Sequence, residues 1–319
     1  MNTVDLQKLA LRTRSMREAG IALLFASGIL ALFLFIPIGR GSQTSPTLGE
    51  VGAPTSDVGA NAFAKVPLQA KAAIVYDLAT GETLYAKNAD AQLPLASLTK
   101  LLTVYAAVSE FSLDTPITIP ADVARIDAPR AFSVGQIFTL ADLSRLTLTA
   151  SLNDGAAAIA IATAARGNRS QSAMLAGAAS ALGLSQTYAV NGSGLDVSTA
   201  ISGGYGSARD LARLAGALAE KAPTVADATT RDFAEARSEG GTFFKVKNTD
   251  PMTGTLPRLL LSKTGFTDLA GGNLALVFDS GINHPIAVVV LGSSKTSRFT
   301  DGATLVAATL AHFAGIASL

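Results

Sequence analysis

Strand-type segments lie at both ends of the folded part of this 319-residue chain. The first, AAIVYDLATGETLYAKN (residues 72–88), has two β-rich stretches around a turn, which is typical of a hairpin. Strand-type runs return late in the chain, in TFFKVKN, RLLLSKTGF, GGNLALVFDS and HPIAVVVLG, between residues 242 and 292. This order predicts an α/β domain whose mostly antiparallel sheet combines N- and C-terminal parts, with helices on its faces and a helical insert between those parts.

The segments between these strands favour helices. Residues 136–166 have a helical pattern that is interrupted near Ser151 to Gly155. Residues 206–220, GSARDLARLAGALAE, predict a helix with Ser207 as its N-cap. The apolar-faced segment DGATLVAATLAHFAGIA, residues 301–317, predicts a final helix.

An apolar stretch near the N-terminus predicts export of the rest of the chain. Residues 21–38 contain no charged side chain, and as a helix they would span about 27 Å, close to the thickness of a bilayer core. Basic residues are concentrated before this stretch, which predicts an uncleaved signal-anchor with the N-terminus in the cytoplasm. A cleaved signal peptide is the alternative, but PIGRGSQ offers a poor cleavage site. The predicted organisation is a cytoplasmic segment (1–20), a transmembrane signal-anchor (21–38), a flexible linker rich in Gly, Ser, Thr, Pro and Ala (39–66) and a folded extracytoplasmic domain (67–319).

Composition excludes several classes of function. The net charge is +1, so the chain lacks the basic excess of a nucleic-acid-binding protein. There are no cysteines, which excludes disulfides, cysteine nucleophiles and cysteine-ligated metals. With only two histidines, His284 and His312, a multi-histidine metal site is not expected, and nothing in the sequence calls for a cofactor.

Three short motifs carry the candidate chemistry. They are S-x-x-K at Ser97 to Lys100, S-x-N at Ser151 to Asn153, and K-T-G at Lys263 to Gly265. Each occurs often by chance, but here the first opens a helix, the second interrupts helices and the third lies on a strand. Lys295-Thr296-Ser297 resembles the third motif, yet only a helix follows it, whereas two more strands follow Lys263.

The first two motifs suit a serine nucleophile with a lysine base. Ser97 and Lys100 lie three residues apart and therefore on one helix face. The serine hydroxyl needs a base, and Lys100 can serve only when neutral, which burial and a nearby charge from Lys263 would favour. Ser151 is suited to relaying a proton to the leaving amine, and Asn153 to orienting Lys100 and the substrate backbone.

The third motif suits the binding of an extended peptide. The strand that carries Lys263 and Thr264 could add a substrate strand at its edge. Gly265 leaves room for a close backbone approach. The N–H groups of Ser97 and Phe266 could form an oxyanion hole.

These residues and the segments around them resemble the D-alanyl-D-alanine carboxypeptidases, the low-molecular-mass penicillin-binding proteins of serine peptidase family S11. The likeness runs through YDLATGETLYAKNADAQLPLASLTKLLT, VGQIFTLADLSRLTLTASLNDGAAAIA, NGSGLDVSTAISGGYGSARDLARLA and SKTGFTDLAGGNLAL, and covers residues 67–319. It implies a β-lactamase/transpeptidase-like fold, removal of the terminal D-alanine from peptidoglycan stem peptides, and acylation of Ser97 by β-lactams. It also implies that Arg298 helps to bind the terminal carboxylate of the substrate.

Two departures from the resemblance leave specificity open. The β-rich C-terminal domain and the amphipathic C-terminal anchor of many relatives are not found after the final helix. Endopeptidases that cut D-alanyl cross-links also lack that domain, so an endopeptidase is the nearest alternative. A class A β-lactamase is disfavoured because no E-x-x-L-N stretch is found. A non-catalytic envelope-binding protein is the alternative from another class, but such a protein would be expected to lose at least one motif residue.

Overall fold

The computed structural model describes residues 62–281 and 283–315. Within these residues, the main sheet has five antiparallel strands. Strands are numbered in chain order through all sheets, so the numbers in the main sheet are not consecutive. The five strands are β1 (Ala72–Asp77), β2 (Thr83–Lys87), β10 (Leu259–Thr267), β11 (Gly271–Asp279) and β12 (Pro285–Ser293). Their order across the sheet is β10-β11-β12-β1-β2, so β1 pairs with both β2 and β12. The predicted assembly of the sheet from both ends of the chain is confirmed.

Seven α-helices surround this sheet in the described part of the chain. They are α1 (Thr99–Glu110), α2 (Leu140–Ala150), α3 (Asn153–Arg166), α4 (Gln171–Ala181), α5 (Ala208–Lys221), α6 (Pro223–Ala228) and α7 (Ser297–Phe313). Two 3-10 turns, Ala96–Leu98 and Ala121–Arg125, precede α1 and α2.

Both faces of the sheet are buried, because successive strand residues point to opposite sides. Ile74 and Val289 belong to the larger apolar core, which also contains Leu211 of α5. Val75 belongs to the second core, together with Leu305 of α7. The sheet is therefore packed between the helical insert with α5 on one face and α7 on the other.

Three small sheets complete the described fold. Their strands are β3 (Leu93–Pro94), β6 (Tyr188–Ala189) and β7 (Gly204–Gly206), then β4 (Pro116–Thr118) with β5 (Ile137–Thr139), and β8 (Phe233–Arg237) with β9 (Phe243–Lys247).

The predicted helix boundaries are confirmed in part, and the final helix begins at Ser297 rather than at residue 301. Ser207 caps α5 by accepting a hydrogen bond from the backbone N–H of Asp210, as predicted. The helical interruption is also found, between α2 and α3. The expectation of helix from residue 136 is wrong, because Ile137–Thr139 pairs with β4 and α2 begins only at Leu140. β-Branched and aromatic side chains at these positions favour the strand.

The described fold begins before residue 67, where the predicted linker ends. Ala62 and Phe63 are buried, and the ring of Phe63 lies 5.7 Å from that of Tyr85. Asp301 of α7 then accepts hydrogen bonds from the backbone N–H groups of Gln69 and Ala70, which ties the first part of the domain to the last helix. Residues 62–66 are thus part of the domain rather than of a free tether.

The predicted signal-anchor, residues 21–38, lies outside the described residues. None of the helices within residues 62–281 and 283–315 has the length and apolarity needed to cross a bilayer.

Candidate active site

The S-x-x-K motif lies at a strained turn that leads into α1. Ala96 has a φ of +48°, a left-handed conformation that is uncommon for a residue with a Cβ and marks backbone strain. Ser97 follows in the 3-10 turn and is half-buried, whereas Lys100 in the first turn of α1 is fully buried. Thr99 and the four residues after Lys100 are buried too, so the lysine amine has no path to water along the helix surface.

The amine of Lys100 has three hydrogen-bond partners. Its Nζ lies 2.7 Å from Ser97 Oγ, 2.8 Å from Asn153 Oδ1 and 2.8 Å from the carbonyl oxygen of Ser193. The amide and carbonyl oxygens can only accept, while the serine hydroxyl can also donate. A neutral amine has two N–H groups and one lone pair, so it satisfies both oxygens and turns its lone pair to Ser97. A neutral Lys100 amine therefore has a hydrogen-bond partner for each of its two N–H groups and for its lone pair.

The S-x-N motif lies where α2 ends and α3 begins. Ser151 ends α2 in the left-handed conformation, with a φ of +59°, and Asn153 begins α3. The Asn153 Nδ2 group donates to the carbonyl oxygens of Asp127 and Ala128, at 3.0 and 2.9 Å. These two bonds fix the side-chain amide, so its Oδ1 faces Lys100 as an acceptor.

The K-T-G motif lies on β10, which forms one edge of the main sheet within the described residues. Lys263 is 1% exposed, and its Nζ lies 2.9 Å from Ser151 Oγ and 2.8 Å from the carbonyl oxygen of Thr264. A second lysine is thus held across from the first, with Ser151 as its side-chain partner.

Gly265 brings β10 against the nucleophile turn. A Cβ at this position would lie 3.0 Å from the carbonyl oxygen of Leu95 and 3.2 Å from the amide nitrogen of Ser97. These separations are tighter than ordinary van der Waals contact, so a side chain would push the strand away from Ser97. Phe266, the next residue on β10, is 39% exposed.

Arg298 and Thr264 form the far side of the K-T-G strand. Arg298 lies in the first turn of α7, is buried, and donates from Nη1 to the carbonyl oxygen of Gly265 at 2.6 Å. The hydroxyl of Thr264 lies 2.7 Å from that of Thr249, in the loop after β9. All the predicted site residues therefore lie in one contiguous region. Lys295, from the second K-T-like triplet, is instead exposed, just before α7.

Burial controls the charge of both lysines. Burial, followed by the nearby Lys263 ammonium, holds the pKa of Lys100 well below its usual 10.5, while the Asp154 carboxylate opposes the change. Burial and then the Arg298 guanidinium lower the pKa of Lys263 to about 7, against the opposing effect of Asp250. Lys100 is thus the group with the environment of a neutral base.

Several contributors to the site were missed by the sequence reasoning. The carbonyl of Ser193 contacts Lys100, and Gly194, with a φ of +75°, lies so close that a Cβ would be 2.0 Å from the carbonyl oxygen of Ala96. Paired glycines around a serine, in NGSG, were the available signal for a close approach.

Two buried carboxylates were also missed. Asp154 accepts hydrogen bonds from the backbone N–H groups of Ala131 and Phe132, which positions the loop that holds Asn153. Asp250 accepts a 2.6 Å hydrogen bond from Ser262, beside Lys263. A single aspartate, whether in the first turn of α3 as Asp154 or in a loop as Asp250, gives no pattern in one sequence, so these contacts needed the structure.

Comparison with known proteins identifies a family. The model of the peptidase S11 family, described as D-alanyl-D-alanine carboxypeptidase, matches residues 59–295. The chain is 30% identical over 283 residues to a D-alanyl-D-alanine endopeptidase of Pseudomonas aeruginosa, a match covering 87% of this chain and 86% of the relative. It is also 30% identical over 301 residues to the D-alanyl-D-alanine carboxypeptidase DacC of Escherichia coli, covering 88% of this chain and 66% of that protein.

Solved structures share the fold. Penicillin-binding protein D2 from Listeria monocytogenes, in its ampicillin-bound form, is 28% identical and superposes with a TM-score of 0.63, over 76% of this chain and 98% of that one. The D-alanyl-D-alanine carboxypeptidase of Mycobacterium tuberculosis, at 23% identity, has a TM-score of 0.67 over 77% of this chain and 93% of its own. The penicillin-binding-protein fold expected from the sequence is confirmed.

Proposed function

Because the chain belongs to peptidase family S11, the D-alanyl-D-alanine carboxypeptidases, we propose that Ser97 is the residue that its substrate acylates. The enzyme is a serine hydrolase that removes the terminal D-alanine from peptidoglycan stem peptides. One observation carries the assignment to Ser97: Lys100 has three partners, and only the Ser97 hydroxyl can donate a proton to it. Lys263 also contacts a serine, Ser151, but only Ser97 lies at the turn that Gly265 of β10 approaches.

In the acylation step, Lys100 Nζ takes the proton from Ser97 Oγ as the oxygen attacks the carbonyl carbon between the two D-alanines. The developing oxyanion accepts hydrogen bonds from the backbone N–H groups of Ser97 and Phe266. The C–N bond then breaks, and the departing amine takes, through the Ser151 hydroxyl, the proton that Lys100 gained from Ser97, so Lys100 is again a neutral base. Ser151 is hydrogen-bonded to Lys263 at 2.9 Å. Water hydrolyses the resulting ester, and its proton returns to Ser97 by way of Lys100.

Substrate binding uses the other side of the cleft. The edge of β10 pairs with the extended peptide, and Thr264 and Arg298 hold its terminal carboxylate, with Lys263 as a further positive charge nearby. Gly265 allows this close approach. β-Lactams acylate the same serine, which is supported by the ampicillin-bound form of the Listeria relative.

The test is intact-mass analysis of the full chain after incubation with benzylpenicillin. We expect one adduct on the wild type, one on Ser109→Ala, a control at a serine further along α1, and none on Ser97→Ala. Rapid turnover of penicillin without an adduct would instead indicate a β-lactamase. Absence of both adduct and turnover would favour a non-catalytic envelope-binding protein.

An endopeptidase that cuts D-alanyl cross-links is the second candidate. It is favoured by the similarity to the Pseudomonas endopeptidase, which extends over 86% of that relative. The two activities are separated by measuring kcat/KM for release of D-alanine from a pentapeptide and for cleavage of a purified cross-linked dimer. The substrate with the higher value identifies the main activity.

The location of the enzyme is proposed from the sequence. The uncharged stretch 21–38, with four basic residues shortly before it, supports a single-pass membrane anchor and a domain in the cell envelope. The domain has its own apolar cores, so a chain lacking residues 1–38 is expected to be soluble and to keep penicillin acylation within about twofold. A truncated chain with native circular dichroism but no acylation would contradict a passive anchor.

A further inference from the structure

The loop between β6 and β7 is bonded to the face of α1 that carries the general base. The carbonyl oxygen of Ser193 accepts a hydrogen bond from Lys100 Nζ at 2.8 Å. The carbonyl oxygen of the preceding residue, Gly192, accepts one from the hydroxyl of Thr103, also at 2.8 Å. Lys100 and Thr103 lie three residues apart and therefore on one face of the helix, so two consecutive loop carbonyls contact that face.

This arrangement requires a tight turn in the loop. In an extended chain, successive carbonyl groups point to opposite sides, whereas those of Gly192 and Ser193 both contact α1. Gly194 continues the turn with a φ of +75°, in the left-handed region. The N–H groups of such a turn need acceptors of their own, because backbone donors are rarely left unpaired.

The side chain of Asn191 supplies these partners. Its Oδ1 accepts hydrogen bonds from the backbone N–H of Ser193 at 3.2 Å, the hydroxyl of Ser193 at 3.0 Å and the backbone N–H of Gly194 at 2.8 Å. Its Nδ2 donates to the carbonyl oxygen of Leu195 at 3.0 Å. One side-chain amide therefore makes four hydrogen bonds across the turn, and it uses both its acceptor and its donor.

Gly203, just before β7, leaves room for this amide. A Cβ at Gly203 would lie 2.6 Å from Asn191 Nδ2, 2.9 Å from its Oδ1 and 2.2 Å from the carbonyl oxygen of Leu195. The carbonyl oxygen of Gly203 also accepts the backbone N–H of Val190 at 2.9 Å. The amide is thus enclosed between its own turn and the neighbouring chain, and it cannot move without displacing Ser193.

The amide at position 191 is neutral, in a region where charge affects the base. Burial is the main cause that lowers the pKa of Lys100, the Lys263 ammonium of β10 adds to it, and the Asp154 carboxylate of α3 opposes it. The carboxylate of the loop itself, Asp196, accepts a hydrogen bond from the Thr267 hydroxyl at 3.2 Å. A further carboxylate at position 191 would be one residue away from the carbonyl that contacts Lys100, and it would stabilise the ammonium form.

We propose that Asn191 is a positioning residue for the general base, because it holds the Ser193 carbonyl against Lys100 and adds no charge there. The inference rests on the proposed function, since it requires Lys100 to be the base. The held carbonyl accepts one N–H of the neutral amine and Asn153 accepts the other, so the lone pair is directed at Ser97. The proton transfer itself is unchanged, from Ser97 Oγ to Lys100 Nζ.

The test measures the rate constant for acylation of the full chain by benzylpenicillin, by time-resolved intact mass, over the pH range in which the protein stays folded. The rate is taken from the molecules that finally form the adduct, so a misfolded fraction does not lower it. In the wild type, the rate should rise from acidic pH to a plateau as Lys100 loses its proton.

Two substitutions separate position from charge. Asn191→Ala removes all four hydrogen bonds, so the plateau rate should fall by about tenfold or more, without movement of the acidic limb to higher pH. Asn191→Asp keeps the accepting oxygen and adds a negative charge. Its acidic limb should move to higher pH by about one pH unit, and it should keep more of the plateau rate than the alanine variant.

The matched control is Asn88→Asp, which adds the same charge elsewhere. Asn88 follows β2, at the edge of the main sheet opposite β10, and its Nδ2 donates to the carbonyl oxygen of Lys71 at 2.9 Å. The substitution therefore also removes one side-chain donor from a backbone carbonyl. Its plateau rate and acidic limb should equal those of the wild type.

Two results would overturn the inference alone: an acidic limb of Asn191→Asp that coincides with that of Asn88→Asp, or a folded Asn191→Ala that keeps the wild-type plateau rate. A general loosening of the loop would lower the unfolding temperature of both Asn191 variants but would not move the limb of one. If Asn191→Ala does not fold, the comparison of the two aspartate variants decides. A wild type that forms no adduct at any pH would overturn the proposed function as well.

Discussion

The two buried lysines of the active site have similar exposure but different hydrogen-bond partners. Lys100 lies on a helix with three partners around its amine, all of them oxygen atoms of neutral groups. Lys263 lies on an edge strand and contacts Ser151 and the carbonyl oxygen of Thr264. Each lysine has one cation and one carboxylate nearby, and burial lowers the pKa of both, that of Lys263 to about 7 and that of Lys100 well below its usual value.

This difference shows how one residue type can supply two functions in one site. An amine that is buried among neutral acceptors, beside another cation, becomes a base. An amine at the edge of a cleft keeps enough charge to attract an anionic substrate and to weaken protonation of the first lysine. The contrast predicts different responses to substitutions that conserve charge.

Lys100→Arg should have the largest effect. Arginine stays protonated in proteins, so it cannot take the proton from Ser97, and the loss of a general base typically costs 10²- to 10⁴-fold. We expect the rate of acylation by penicillin to fall by about 10³-fold, as measured by stopped-flow or by time-resolved intact mass. A loss of less than about tenfold, in a variant that unfolds at the wild-type temperature, would show that Lys100 is not the base.

Lys263→Arg should differ from Lys263→Gln. The glutamine variant loses the charge, and we expect kcat/KM for carboxylate-bearing ligands to fall by about 10²-fold. The arginine variant keeps the charge, so its loss should be smaller. Both variants are compared with the wild type in the same penicillin acylation assay.

The pH profile sharpens the test of Lys263. In the wild type, kcat/KM should decrease as the pH rises through about 7, because the amine loses its proton there. Lys263→Arg should lack this alkaline limb. A limb that persists unchanged in Lys263→Arg would assign it to another group.

Ser151 connects to the second lysine and should have an intermediate effect. Removing its hydroxyl, in Ser151→Ala or Ser151→Gly, should slow peptide hydrolysis by about tenfold to a hundredfold through loss of proton transfer to the leaving amine. The φ of +59° favours glycine, so Ser151→Gly should be more stable than Ser151→Ala by about 0.5–1 kcal/mol. Steady-state hydrolysis and thermal unfolding measure the two effects, and very different rates in the two variants would indicate a backbone role instead.

The stability of the protein should also depend on Lys263. Its pKa is lower in the folded protein than in the unfolded chain, so the unfolded chain binds more protons between about pH 7 and pH 10. The free energy of unfolding then rises with pH in this window, by up to about 1.4 kcal/mol per unit, and the cost of burial is present in full below pH 7. Urea unfolding of wild type and Lys263→Met at pH 7 and pH 9 should show a smaller rise in the variant, and equal rises would contradict the lowered pKa.

The two lysines also show what a sequence can and cannot reveal. The motifs identified Ser97, Lys100, Ser151 and Lys263, because catalytic side chains keep a fixed spacing along a helix or strand. The strand order was also predictable, since apolar runs at both ends of the chain need a common sheet. The loop residues near the two lysines could not be predicted. Ser193 contacts Lys100 and Asp250 lies beside Lys263, and both are in loops that reach the site only through the tertiary fold. The strand at Ile137–Thr139 was missed for a different reason, because its residue types favour a strand but the segment runs directly into α2.

The pairing of β1 with β12 also determines when the sheet can form. Asp77, which ends β1, contacts His284, 207 residues further along the chain, and Ala70 contacts Asp301 across 231 residues. Contacts of such long range slow folding, because a large loop must close before they form. The first strand therefore lacks its neighbouring strand β12 until Pro285–Ser293 has been synthesised. A nascent chain that stops before β12 lacks the middle strand of the sheet, so the edge that carries Lys263 cannot yet be positioned opposite Ser97.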